Sequence, residues 1–84
     1  MAMEDDFAEA QKRVKTLSST PSNDKLLELY SLYKQGSTGD VQGKRPGMLD
    51  LKGRAKYDAW SKKKGMGKDD AMKAYVALVD GLVG

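Results

Sequence analysis

Four stretches of the chain repeat apolar residues at spacings of three and four, and no stretch alternates apolar with polar residues as a half-buried strand would. Phe7, Ala10, Val14 and Leu17 form the first stretch, and Leu26, Leu29, Tyr30 and Tyr33 the second. In the third, Tyr57, Trp60 and Lys64 share one face and Lys52, Lys56 and Ala59 another; Met72, Tyr75, Val76 and Val79 make the fourth. The breaks between them carry turn chemistry. Ser18-Ser19-Thr20-Pro21 ends the first helix, and Ser22 or Asn23 caps the second, with Asp24 in its first turn. Asp50 starts a third helix running to about Lys64, Gly65-Met66-Gly67 breaks the pattern, and Asp69 and Asp70 favour the start of a fourth. The link from Gly36 to Asp50 is far longer than the others, which predicts that one helix pair is joined by an overhand connection rather than a tight hairpin. Met48 and Leu49 look like apolar anchors that pin this link down.

At 84 residues there is room for one domain, spanning 1–84, and no repeat or low-complexity run divides it. The expected class is all-α, a small helical bundle. The sequence contains neither cysteine nor histidine, so disulfides and Cys/His zinc sites are ruled out, and a reducing, cytoplasmic setting is expected. The acidic start Met1-Ala2-Met3-Glu4-Asp5-Asp6 lacks the positive and apolar regions of a secretory signal, and no apolar run approaches the ~20 residues that cross a bilayer. Neither export nor stable membrane insertion is expected.

The same absences weigh against catalysis. The usual nucleophile and base pairs cannot be built, and Asp5-Asp6 and Asp69-Asp70 sit at helix starts, where they suit the dipole. Gly36, Gly39, Gly43 and Gly47 lack the Gly-Lys-Ser/Thr ending of a phosphate-cradling loop. The net charge of +3 is unevenly spread: from Lys44 to Lys64 basic residues outnumber acids, with only Asp50 and Asp58 opposing them. An anionic partner is therefore expected.

Tyr30, Tyr33 and Lys34 stand on one helical face, a surface suited to a phosphorylated ligand that carries a ring. Periodicity alone also allows the plainer reading, in which Tyr30 and Tyr33 are core aromatics and Lys15, Lys34, Lys52 and Lys56 a solvated face. A second class of function, a basic helical interaction module docking on acidic partners, is the alternative. Nucleic acid is not the expected partner, because the charge is modest and there is no arginine-rich stripe.

Tyr30-Ser31-Leu32-Tyr33-Lys34-Gln35, Gly39-Asp40, Arg45-Pro46-Gly47-Met48-Leu49-Asp50, Lys56-Tyr57-Asp58-Ala59-Trp60 and Asp70-Ala71-Met72-Lys73-Ala74-Tyr75 together resemble the acyl-CoA-binding protein family. The resemblance spans Phe7 to about Val79. It implies a four-helix up-down-down-up bundle, with the long overhand connection between helices 2 and 3. It also implies non-enzymatic, reversible binding and transport of medium- and long-chain fatty acyl-CoA, with no cofactor. A monomer that meets acyl-CoA-using enzymes transiently is expected.

The resemblance further implies that Tyr30, Lys34 and Lys56 hold the 3′-phosphate of CoA and that adenine stacks close to Tyr33. Lys15, Lys52 and Tyr75 are expected to line the site, together with Ser31 and Leu32 of the same segment. The acyl chain is expected among Met3, Phe7, Ala10, Val14, Leu27 and Leu29. This sequence departs from the family pattern at Gln11, where alanine is frequent, and at Gly67, where a serine or threonine would cap the last helix. Tyr57 replaces a common tryptophan and Leu51 a common phenylalanine.

Overall fold

The computed structural model describes residues 3–83, so Met1 and Ala2 of the acidic start lie outside it. Four helices follow one another: α1 Met3–Val14, α2 Asn23–Ser37, α3 Leu51–Ser61 and α4 Lys68–Val83. Among the described residues there is no strand.

The helix ends follow local chemistry. α1 carries Glu4, Asp5 and Asp6 in its first turn and Lys12 and Arg13 in its last, the charge order that opposes the helix macrodipole. Ser22, in extended conformation, caps α2 by accepting from the Lys25 amide, and Asp50 caps α3 by accepting from the Gly53 amide at 3.0 Å. α2 is closed by Gly39 at φ +98, whose amide reaches back to the carbonyls of Lys34 and Gln35. α3 ends at Ser61 rather than near Lys64. From Lys62 the chain tightens into turns that deliver the amide of Gly65, at φ +93, to the Asp40 carboxylate 2.8 Å away. Gly67 brings no capping side chain to α4, which relies on Asp69 and Asp70 in its first turn.

Side-chain pairs give the helix directions. Phe7 meets Tyr75 edge-on with ring centres 5.1 Å apart, and one step further along both helices Arg13 pairs with Asp80; α1 and α4 are parallel. Gly36, near the end of α2, lies against Met72 near the start of α4, whereas Leu32 borders Ala74 and Leu78; these two run antiparallel. Asn23 and Leu27 face Leu51 and Ala55, Tyr30 meets Lys56, and Lys34 meets Trp60, so α2 and α3 are parallel. The expected up-down-down-up order follows, and a parallel neighbouring pair requires the overhand connection from Thr38 to Asp50.

The core joins Phe7 and Ala10 of α1, Leu29 and Leu32 of α2, and Ala71, Met72, Tyr75 and Val79 of α4. Each large apolar side chain buried this way contributes about 1.5–3 kcal/mol. α2 packs on both α3 and α4, while α1 packs its backbone on α4 alone. The buried edge of α2 is Leu29, Leu32 and Gly36, with the polar Ser31 and Gln35 fully enclosed beside them. The expected apolar stripe of Leu26, Leu29, Tyr30 and Tyr33 is thus divided: Leu26 and Tyr33 are 39% and 38% exposed.

The expected anchors of the long connection also prove to be something else. Met48 is 80% and Leu49 99% exposed. Polar ties hold the segment instead. Arg45 donates twice to the Asp58 carboxylate (2.9 and 2.7 Å), the Tyr57 hydroxyl to the Gly43 carbonyl (2.9 Å), and the Trp60 indole to the Gly39 carbonyl (2.8 Å). The buried Gln35 amide donates to Asp40 and to the Met66 carbonyl, stitching the overhand segment to the α3–α4 turn. Tyr57 thereby has a hydrogen bond of its own.

Candidate functional site

Because α2 and α3 run parallel and side by side, residues four apart on one helix meet residues four apart on the other. The result is a reciprocal arrangement of rings and lysines. The Lys56 ammonium of α3 lies 5.4 Å from the centre of the Tyr30 ring of α2, and the Lys34 ammonium of α2 lies 4.8 Å from the Trp60 ring of α3. Two cations are therefore held over two rings, each by a cation–π contact worth about 0.5–1 kcal/mol at exposed sites. Trp60 is itself fixed by packing and by its bond to Gly39, so Lys34 approaches a rigid partner. Two ammonium groups on successive turns of the α2–α3 face, one of them over the Tyr30 ring, make a surface suited to a phosphate dianion.

Below these pairs, between the first turns of α2 and α3, opens an apolar groove of about 420 Å³ lined by Asn23, Leu26, Leu27, Leu51, Lys52, Ala55 and Lys56. That volume lies within the range of small-ligand sites. Lys56 belongs both to the groove and to the ring pairs, so the cationic and the apolar regions are continuous. An amphiphile with a phosphorylated head and a hydrocarbon tail matches the two regions in size and chemistry.

A second aromatic group joins α1, α2 and α4. Phe7 stacks on Tyr33 with centres 6.1 Å apart and meets Tyr75 at 5.1 Å, leaving the Tyr33 ring partly open to solvent. Burial, and then the nearby Tyr33, push the Tyr75 hydroxyl above the usual phenol range.

Of the residues expected at the site, Tyr30, Lys34, Lys52 and Lys56 are brought together on the α2–α3 face, with Tyr33 at its edge. Ser31 and Leu32 are not on that face. Ser31 is fully buried, its hydroxyl donating to the Glu28 carbonyl at 2.8 Å, and Leu32 is a core residue at 3% exposure. A helix turns about 100° per residue, so the two positions between Tyr30 and Tyr33 necessarily point inward. Tyr75, at 5% exposure, belongs to the core cluster. Lys15 is exposed in the turn after α1, beside Val14, Leu17 and Pro21, and makes no contact with the ring–lysine pairs.

The expected tail-binding set changes as well. Phe7, Ala10 and Leu29 are core residues and Met3 and Val14 pack against that core; only Leu27 lines the groove. Leu26, Leu51 and Ala55 complete its wall, and sequence reading missed them in this role. Leu51 was noted only as a replacement for phenylalanine; its signal was a large apolar residue directly after the helix cap, where burial is scarce. Gln11 does not enter the groove: its side-chain amide folds back on the Phe7 carbonyl of its own helix.

Among the described residues no cluster of three or more potential metal ligands occurs, and no helix is long and apolar enough to cross a membrane.

The family model "Acyl CoA binding protein" matches residues 4–79. The chain is 60% identical over 77 residues to "Acyl-CoA-binding protein homolog 1" of Caenorhabditis elegans, covering 92% of this chain and 90% of that one. It is 52% identical over 84 residues to the "Acyl-CoA-binding protein homolog" of Manduca sexta, covering 99% and 93%. The crystal structure of Oryza sativa Acyl-CoA-Binding Protein 2 superposes with a TM-score of 0.93 at 41% identity, covering 98% of this chain and 91% of that one. The solution structure of the yeast Acyl Coenzyme A Binding Protein does so with a TM-score of 0.74 at 48% identity, covering 92% and 90%.

Proposed function

The chain belongs to the acyl-CoA-binding protein family, and from that premise we propose that it binds medium- and long-chain fatty acyl-CoA reversibly at the α2–α3 face and carries it, without making or breaking a bond. The observation that carries the assignment of the site is the continuity at Lys56, where paired cations over rings meet the mouth of an apolar groove. In this reading Lys34 and Lys56 contact the 3′-phosphate with the Tyr30 hydroxyl, and Tyr33 offers its partly open ring to adenine. Aromatic stacking contributes about 1–3 kcal/mol for a base. Lys52 guards the groove rim, and Lys15, in the turn after α1, meets the ligand only where the ligand extends to it.

The acyl chain lies along Leu26, Leu27, Leu51 and Ala55. Each buried methylene contributes about 0.8 kcal/mol, so two further carbons strengthen binding roughly tenfold until the groove is full. The protein works as a single 1–84 domain and a monomer in the cytoplasm, with no cofactor, and hands its ligand to acyl-CoA-using enzymes in transient encounters. The docking-module alternative is not favoured, since the relatives at high identity are named for acyl-CoA binding.

Calorimetric titration with palmitoyl-CoA, beside CoA, palmitate and the palmitoyl ester of 3′-dephospho-CoA, tests the reading. Tight one-to-one binding that collapses when either the acyl chain or the 3′-phosphate is missing is the expected result. Comparable affinity for palmitate, or none for palmitoyl-CoA, refutes it.

A further inference from the structure

The overhand connection ends in a turn whose two central side chains, Met48 and Leu49, take no part in the core. The Asp50 amide donates to the Gly47 carbonyl at 3.0 Å, which places Met48 and Leu49 at the two outward corners of the turn. Met48 is 80%, Leu49 99% and Leu51, one residue into α3, 74% exposed. These three large apolar side chains stand within four consecutive positions, on a backbone held in place by the Arg45–Asp58 pair and the Asp50 cap. Leu51 also borders the groove, but Met48 and Leu49 belong to neither the groove nor the core, and nothing within the fold accounts for their exposure.

The charges around the cluster are unequal. Asp58 is paired with Arg45, while the Asp50 carboxylate keeps its charge and is turned toward the Gly53 amide. Lys44 and Lys52, exposed on either side, have no acidic partner among the described residues. An apolar tip with cationic flanks is complementary to a layer of anionic headgroups over hydrocarbon.

We propose that this turn is a docking tip for anionic lipid bilayers, in which Met48, Leu49 and Leu51 enter the headgroup region while Lys44 and Lys52 contact lipid phosphates. Leu51 and Lys52 also border the groove, so docking sets the groove mouth against the membrane surface. The purpose of docking, exchange of an acyl-CoA amphiphile between bilayer and groove, rests on the function proposed above; the docking itself does not.

The test is flotation with phosphatidylcholine vesicles with and without about one-third phosphatidylserine, comparing the full chain with the Met48→Ser/Leu49→Ser double variant. Both positions lie outside the groove and the core, so helicity and palmitoyl-CoA affinity in free solution are expected to be unchanged. The full chain should partition onto the phosphatidylserine vesicles, about tenfold less onto the neutral ones, and the variant should lose at least about tenfold on the anionic ones.

Equal partitioning of variant and parent, or no partitioning of the parent onto anionic vesicles, overturns the proposal. So does retention on immobilised polyglutamate that matches vesicle binding and ignores the substitutions, which would assign the binding to the general basic surface rather than to the tip. If palmitoyl-CoA fails to bind while flotation behaves as expected, the function fails and the docking surface stands.

Discussion

Lys56→Met isolates the charge on which the site depends, because methionine keeps a long apolar side chain on the groove wall while removing the ammonium. In the free protein that ammonium rests 5.4 Å from the Tyr30 ring, a contact worth about 0.5–1 kcal/mol that must be surrendered or shared on binding phosphate. A hydrogen bond to a charged group contributes about 1.5–3 kcal/mol. The difference leaves about 1–2 kcal/mol, a loss of roughly five- to thirtyfold in affinity. Calorimetry on parent and variant, each with palmitoyl-CoA and with the palmitoyl ester of 3′-dephospho-CoA, closes a thermodynamic cycle. The expected outcome is a loss with the complete ligand that nearly disappears with the dephospho ligand. An equal loss with both ligands would mean that Lys56 acts through the groove or the fold, and no loss with either would remove it from the site.

Three further outcomes follow from the same geometry. Trp60→Phe gives up the bond to the Gly39 carbonyl and leaves a smaller ring beneath Lys34, so denaturant unfolding followed by circular dichroism should show a loss of about 1–2 kcal/mol; unchanged stability would mean that the overhand segment is held without it. Leu26→Ser makes one wall of the groove polar and should weaken palmitoyl-CoA by about 1–2 kcal/mol, but octanoyl-CoA much less; equal losses would place the tail elsewhere.

In acid, Asp40 is held below the usual carboxylate range by the Gly65 amide and then the Gln35 amide, and Asp58 by its bonds to Arg45. A folded-state pKa depressed in this way adds stability above the unfolded value of about 3.9 and loses it as pH falls through the folded value. Carboxyl NMR titration should therefore give both residues midpoints below about 3.9, with the Trp60 indole signal moving over the same range; midpoints at or above that value would contradict the ties described.

What the sequence made legible is what is decided locally. Apolar spacing located all four helices, and the start of α2 at Ser22 or Asn23 and of α3 at Asp50 was readable because a cap needs only neighbours three residues away; the structure makes Ser22 and Asp50 the capping residues. α2 was harder, because it is apolar on two sides. Leu29 and Leu32 face the core, whereas Leu26 and Tyr30 face the groove and the lysines, and periodicity cannot say which side is covered. Ser31 and Gln35 illustrate a second limit for Gln35 in particular: its burial depends on Met66 and Asp40, which only the finished chain brings near.

Met48 and Leu49 were read as anchors because apolar side chains usually seek cover, yet the connection is held by hydrogen bonds whose partners lie many residues away. At the site, the resemblance supplied Lys34 and Lys56 as a pair. The chain itself supplied only residues of the right type on two helices, until the parallel packing of α2 and α3 set them in register.

The backbone of α1 packs on α4 and on no other helix, which has a bearing on how the chain comes to be folded. α1, made before the other three helices, has its lasting place against α4, and its link to Asp80 spans 67 positions. Until Tyr75 and Val79 have been synthesised and released, Phe7 and Ala10 have no complete surface on which to settle, while α2 and α3 can already begin to associate. Loop-closure entropy delays such a distant contact further. During synthesis α1 therefore stays uncovered and available to chaperones, and a chain that stops before the later turns of α4 would leave α1, rather than α3, undocked.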